Sequence, residues 1–212
     1  MYTAPVDATF GEAEWRPFLA ANSFGHLVAA GRRRDVPVVV PTQFLLDGDT
    51  VHLHLVRTNP FFGAVAENPR VLLSVAGDWA FIPSDWKAIG DEDPGRGIPT
   101  TYYAAVQVTG TATVHDERAS PGAVATVLRQ QLRALQPEVR IVDPAEAHAG
   151  KLLSILGISI AVESVSAKFK YGGNVDEAHR LAVVNHLEAR DGPGDAAAAG
   201  HVVRRLQAQG ET

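Results

Sequence analysis

Through residue 115 the chain's apolar residues fall into short runs rich in Val, Thr, Tyr and Phe, separated by Gly, Asp and Pro: 24–30, 36–41, 50–57, 70–76, 78–82 and a longer one at 102–115. Runs of this length and composition, bounded by turn residues, specify strands. Leu46-Asp47-Gly48-Asp49 places an Asp-Gly pair between two runs and reads as a hairpin turn. Residues 11–22 fit an amphipathic helix with Trp15, Phe18 and Leu19 on one face. Pro121 opens a helix over 121–136, Pro144 opens a second over 144–155, and a last strand spans 157–170. Five or six strands before the helices predict a small closed barrel with helices on its outside. Beyond Asn174, 175–190 reads as a helix stopped by Asp191-Gly192-Pro193-Gly194, and the Ala-rich tail 195–209 reads equally as a packed or a frayed helix.

With 212 residues and 46% hydrophobic content, the chain is large enough to bury one sizeable core. A net charge of −5 argues against a sequence-independent nucleic-acid binder, and Arg32-Arg33-Arg34 reads as a solvated loop. Cysteine is absent, which removes disulfides and thiolate chemistry. No signal peptide is recognisable at Met1-Tyr2-Thr3-Ala4-Pro5, and no run is long and apolar enough to span a membrane; the expectation is a cytoplasmic protein.

The residues best suited to chemistry lie in His52-Leu53-His54-Leu55-Val56-Arg57-Thr58-Asn59-Pro60. Alternation puts His52, His54 and Val56 on one strand face and Leu53, Leu55 and Arg57 on the other, and Asn59-Pro60 turns the chain into a helix. Imidazole is a common ligand of haem iron, arginine grips carboxylate or phosphate with two hydrogen bonds, and a helix N-terminus adds free N–H groups. Both histidines also fit as ordinary strand residues. A free-metal site would need further ligands, and none accompanies them.

Three further segments carry candidates. Trp79, Phe81 and Trp86, within 77–86, suit the wall of a flat aromatic cofactor or the plug of a barrel end. Thr100, Tyr102 and Tyr103 sit where a loop becomes a strand, and serve either a ligand oxygen or simple turn chemistry. Lys168 and Lys170 share a strand face ahead of Gly172-Gly173, fit either to neutralise an anion or to solvate an edge strand. The Rossmann, P-loop, nucleophile-elbow and H-E-x-x-H motifs are all missing, which excludes the hydrolases and dehydrogenases built on them.

In order, the segments Met1-Tyr2, His54-Leu-Val-Arg57-Thr58-Asn59-Pro60, Ala80 to Trp86, Ile98-Pro99-Thr100 with Tyr103-Ala-Ala-Val106, and Ala167-Lys168-Phe-Lys170 resemble the PaiB family of FMN-binding split barrels. The resemblance covers about residues 1–175. It implies a mainly β, α+β fold: a six-stranded split β-barrel with flanking helices over 1–174, a helical extension over 175–212, and a homodimer with the cofactor at its interface. The chain departs from the family at two places. Pro99-Thr100-Thr101-Tyr102-Tyr103 stands where P-T-W-N-Y is usual, and Lys168 to Asn174 lacks the usual Gln.

In these departures the chain resembles a divergent branch, the haem-dependent piperazate synthases, which close N5-hydroxy-L-ornithine into L-piperazic acid by forming an N–N bond in nonribosomal peptide biosynthesis. That likeness implies an enzyme with haem b as cofactor and a small amino-acid substrate, acting on neither nucleic acid nor membrane. His54 is then the iron ligand, with His52 in reserve, and Arg57, Thr58, Trp86 and Lys170 line the cofactor. Thr100 positions the substrate or its leaving oxygen, and Tyr102, Tyr103 or Lys168 serves as the base. The alternative is an FMN-binding PaiB-like oxidoreductase, in which Arg57, Thr58 and Lys168 grip the phosphate, or a transcriptional regulator.

Overall fold

The computed structural model describes residues 1–210; the last two residues of the expected C-terminal extension, 211 and 212, lie outside the described residues. Helix α1 (Glu12–Ala21) precedes strands β1 (Phe24–Ala29) and β2 (Val38–Gln43), and the hairpin read from Asp47-Gly48 joins β3 (Leu45–Asp47) to β4 (Thr50–Val56). Gly48 takes a φ of +54°, the left-handed conformation that a tight hairpin turn demands. Alternation on β4 is as read: Val51, Leu53 and Leu55 are buried, and His52 and His54 share the opposite, half-buried face. At Asn59 the side-chain oxygen accepts the Phe61 amide at 2.9 Å, starting α2 (Phe61–Glu67) with Pro60 just ahead of it.

The runs at 70–76 and 78–82 are one strand, β5 (Arg70–Ile82). They look separate in sequence because Asp78 passes through a left-handed φ of +51° in mid-strand. Strand β6 (Thr100–His115) leads to α3 (Ala123–Leu135), which begins two residues later than Pro121 suggests. Glu117 sets that start: its carboxylate accepts the amides of Gly122, Val124 (3.0 Å) and Ala125 (3.4 Å). The single helix expected over 144–155 is two short ones, α4 (Pro144–Ala147) and α5 (Ala149–Leu152), because His148 leaves helical geometry at ψ 24°. Strand β7 (Ile155–Lys170) takes up the remainder. Helix α6 (Glu177–Arg190) and helix α7 (Asp195–Gly210) follow, and the tail is packed rather than frayed: Ala198, Ala199, Val202 and Arg205 are buried.

The strands run in the order β2-β1-β5-β6-β7-β4-β3, with β2 and β3 at the edges. The expectation of a closed six-stranded barrel is therefore corrected among the described residues: the sheet has seven strands and is open. The extra strand is the short β3, whose Leu46 and Asp47 fall within the four residues of the expected hairpin turn.

The chain divides into two compact units. Unit 1 comprises residues 1–15, 76–106 and the chain from Ala167 onward, and unit 2 comprises 16–75 and 107–166. In unit 1, Ile82, Tyr102, Phe169 and Tyr171 pack in the core with Val183 and Leu187 of α6. In unit 2 the core holds Leu27, Phe44, Leu53, Phe61, Leu73 and Ile158, while Val124, Ala125 and Leu152 form a buried cluster under α3. No helix among the described residues is long and apolar enough to cross a membrane.

Candidate functional site

The nine expected site residues fall into two groups: His54, Arg57 and Thr58 in unit 2, and Trp86, Thr100, Tyr102, Tyr103, Lys168 and Lys170 in unit 1.

In unit 2, His54 stands on the half-buried face of β4. Its Nδ1 lies 2.8 Å from Oε1 of Gln131, a buried residue of α3. An amide oxygen only accepts, so Nδ1 donates in this contact, and Nε2 is the ring nitrogen that Gln131 does not use. The two side chains line a cavity of about 570 Å³ together with Phe24, Thr42, Gln43 and Leu132. His52, two positions earlier, is placed differently. Its Nδ1 meets Ser159 Oγ at 3.1 Å, and His115 Nε2 meets the same hydroxyl at 2.8 Å. Burial holds both imidazoles toward the neutral form; Asp47 opposes this at His52, and His115 adds to it. The structure thus separates the two histidines, with His54 on a cavity wall and His52 in a hydroxyl bridge.

Arg57 is committed elsewhere. Its two terminal nitrogens donate to the Asp116 carboxylate at 2.6 Å each, and Nε donates to the Leu153 carbonyl at 2.9 Å. This fork, with the Arg118 amide, holds the Asp116 carboxyl far below the usual carboxylate range. The pair fastens the end of β4 to the segment after β6. Thr58 is an exposed residue of the turn into α2. Sequence reading missed Gln131 and Asp116 because each partner lies more than fifty residues from the residue it holds, 77 and 59 respectively.

In unit 1, Lys170 Nζ donates to Thr100 Oγ1 at 2.7 Å, so these two expected residues meet. Lys168 lies 3.8 Å from Asp7 and within 5.7 Å of the Tyr103 ring centroid. Tyr102 is 2% exposed, and burial pushes its phenol up to about 12, so it keeps its proton at neutral pH. Its hydroxyl packs on Gly172: a Cβ there would come within 2.3 Å, and the φ of +74° already favours glycine. Trp86 stacks on His186 with centroids 5.1 Å apart, and the Arg190 guanidinium lies 4.5 Å from its ring centroid. Its indole is therefore engaged by α6.

A family model described as "Putative FMN-binding domain" matches residues 1–164. The protease synthase and sporulation protein PAI 2 of Bacillus subtilis is 25% identical over 191 residues, 87% of each chain. Two solved structures share the fold. The flavocytochrome Anf3 of Azotobacter vinelandii has a TM-score of 0.59 at 22% identity, over 82% of this chain and 74% of that one. The FAD and heme binding protein of Mycobacterium smegmatis has a TM-score of 0.57 at 17% identity, over 83% and 79%. With its first 164 residues matched by that model, the chain belongs to the FMN-binding domain family it describes.

Proposed function

We propose that this family member carries haem b on His54 and closes N5-hydroxy-L-ornithine to L-piperazic acid. The observation that carries the haem assignment is the His54–Gln131 pair. A hydrogen bond from Nδ1 to a buried amide oxygen orients the ring and leaves Nε2 available to a metal, the arrangement typical of histidines that hold metals. One imidazole would suffice for a tetrapyrrole, which would bring four nitrogen ligands for its own iron. The cavity of about 570 Å³ beside His54 offers the volume and the mixed apolar and amide wall that such a group needs. The fold is shared by a protein named as a flavocytochrome and by one named as binding FAD and heme.

The reaction assignment rests on the resemblance at Ile98 to Tyr103 and its departure from P-T-W-N-Y. Closure forms one N–N bond, breaks the N–O bond and releases water, so no external oxidant or reductant is needed. A bound haem iron would supply a Lewis acid for the departing oxygen. The chain's own part is to orient and to hold protons. Thr100, gripped by Lys170, is assigned to the substrate's oxygen. Tyr102 is held protonated and Lys168 is an ammonium group beside Asp7 and the Tyr103 ring, so both are assigned to orient the substrate rather than to take its proton. Arg57 is assigned to the scaffold.

Family membership favours a second reading, an FMN-dependent oxidoreductase with Lys168 and Lys170 toward the phosphate. Incubating the purified chain with haemin or with FMN, then with N5-hydroxy-L-ornithine, separates the two. The cyclase reading expects a product lighter by one water with haemin alone. Turnover confined to the FMN-loaded chain with a reductant contradicts it.

A further inference from the structure

Loop 84–97 of unit 1 closes on itself: a Cβ at Gly97 would lie 1.9 Å from the Ser84 carbonyl oxygen, so the backbones at its two ends are in contact. Two clasps fasten the loop to α6. His179 sits between Asp176, 2.7 Å from Nδ1, and Glu92 of the loop, 2.9 Å from Nε2. Trp86 provides the second, through His186 and Arg190.

The residue that the loop delivers is Lys87. Its Nζ donates to the Ile98 carbonyl at 2.9 Å, and Lys170 Nζ donates to Thr100 Oγ1 at 2.7 Å. Two ammonium groups are thus anchored on one short segment, 98–100. Nearby cations have carboxylate partners: Arg96 has Asp93, His179 has Glu92, Arg190 has Asp195 and Lys168 has Asp7. Among the described residues no ion pair joins Lys87 or Lys170 to a carboxylate. Asp91, Glu92 and Asp93 line the cavity of about 570 Å³ beside Lys87, where Glu92 is paired with His179 and Asp93 with Arg96. Burial, and then the charge of Lys170, press Lys87 toward its neutral form. Two half-buried like charges without a counter-ion are costly, and one bound anion offsets both. The Thr100 hydroxyl already accepts from Lys170, which leaves its own proton free to be donated.

We propose that Lys87, Lys170 and the Thr100 hydroxyl form a binding site for a small oxyanion, a carboxylate or a phosphate group, and that loop 84–97 is the clasp that holds Lys87 in it. The site shares Thr100 and Lys170 with the proposed function and rests on that reading to that extent; Lys87 and its loop are what it adds.

The test is a titration of the full chain, at constant ionic strength set with sodium chloride, with sodium phosphate and separately with sodium acetate. The readout is the Trp86 indole N–H resonance. Saturable movement of that signal by either anion is expected, and the anion that produces it identifies the group the site takes. Lys87→Met weakens the binding about tenfold or more, while Lys87→Arg, which keeps the charge, retains most of it. Glu92→Gln, which loosens the clasp without altering the Lys87 side chain, also weakens it. Absence of saturation with both anions overturns the proposal, as does equal affinity in Lys87→Met and wild type with the Trp86 signal still dispersed.

Discussion

Gln131 Oε1 of α3 lies 2.8 Å from His54 Nδ1 of β4, across a sequence separation of 77 residues. This contact orients the imidazole and leaves Nε2 for the ligand role proposed for it. Gln131→Leu keeps the volume and removes the acceptor, so haem affinity measured by titration of the Soret band is expected to fall about 10- to 100-fold. An unchanged affinity would mean that the imidazole is oriented by something else.

The Arg57–Asp116 fork predicts a specific acid response. The Asp116 carboxyl is held below its ordinary value of 3.8, so the stability it contributes is complete above that pH and is lost as pH falls toward the folded-state value. Arg57→Leu is expected to lower the melting temperature at neutral pH and to flatten the further loss that wild type suffers below roughly pH 4. Parallel acid limbs for the two proteins, followed by circular dichroism, contradict this.

Asp78 is held in its left-handed turn of β5 from two sides. Tyr171 Oη donates to its carbonyl at 2.6 Å, and its carboxylate meets His201 Nε2 at 3.0 Å. Tyr171→Phe leaves that carbonyl without its partner, and a loss of about 1–3 kcal/mol in urea unfolding is expected. A loss near zero would show that the turn is held without the phenol.

The clasp at His179 responds to pH in the opposite sense from Asp116. Asp176 and then Glu92 hold the His179 imidazole above its ordinary 6.5, so the contact is complete below that value and is lost as pH rises through the folded-state value. Amide exchange in 84–97, corrected for its intrinsic pH dependence, is expected to quicken on the alkaline side in wild type. Glu92→Gln is expected to remove most of that dependence. Equal pH profiles in the two proteins refute the clasp.

The elements that repeat a short pattern were legible in the sequence. The alternation of Val51, Leu53 and Leu55 against His52 and His54 gave β4 its faces, and Asp47-Gly48 gave its hairpin. Boundaries failed where a distant side chain sets the local geometry. Glu117 moves the start of α3, and Tyr171 and His201 carry β5 through Asp78 as one strand. The candidate site divided in the same way. That Lys168 and Lys170 share a strand face follows from period-two spacing, and the structure shows what that spacing could not: Lys170 on Thr100 and Lys168 near Asp7. The choice between His54 and His52, and the commitment of Arg57 to Asp116, depend on residues brought in from other elements by the fold. No local pattern announces these partners.

The central claim, that His54 ligates haem iron, is tested most directly by the absorption spectrum of the chain purified from cells supplied with a haem precursor, beside His54→Ala and His52→Ala. The account predicts a Soret band in wild type and in His52→Ala, and its loss or marked shift in His54→Ala. A yellow wild-type protein with flavin bands and no Soret band, or a Soret band unaltered by His54→Ala, would contradict it.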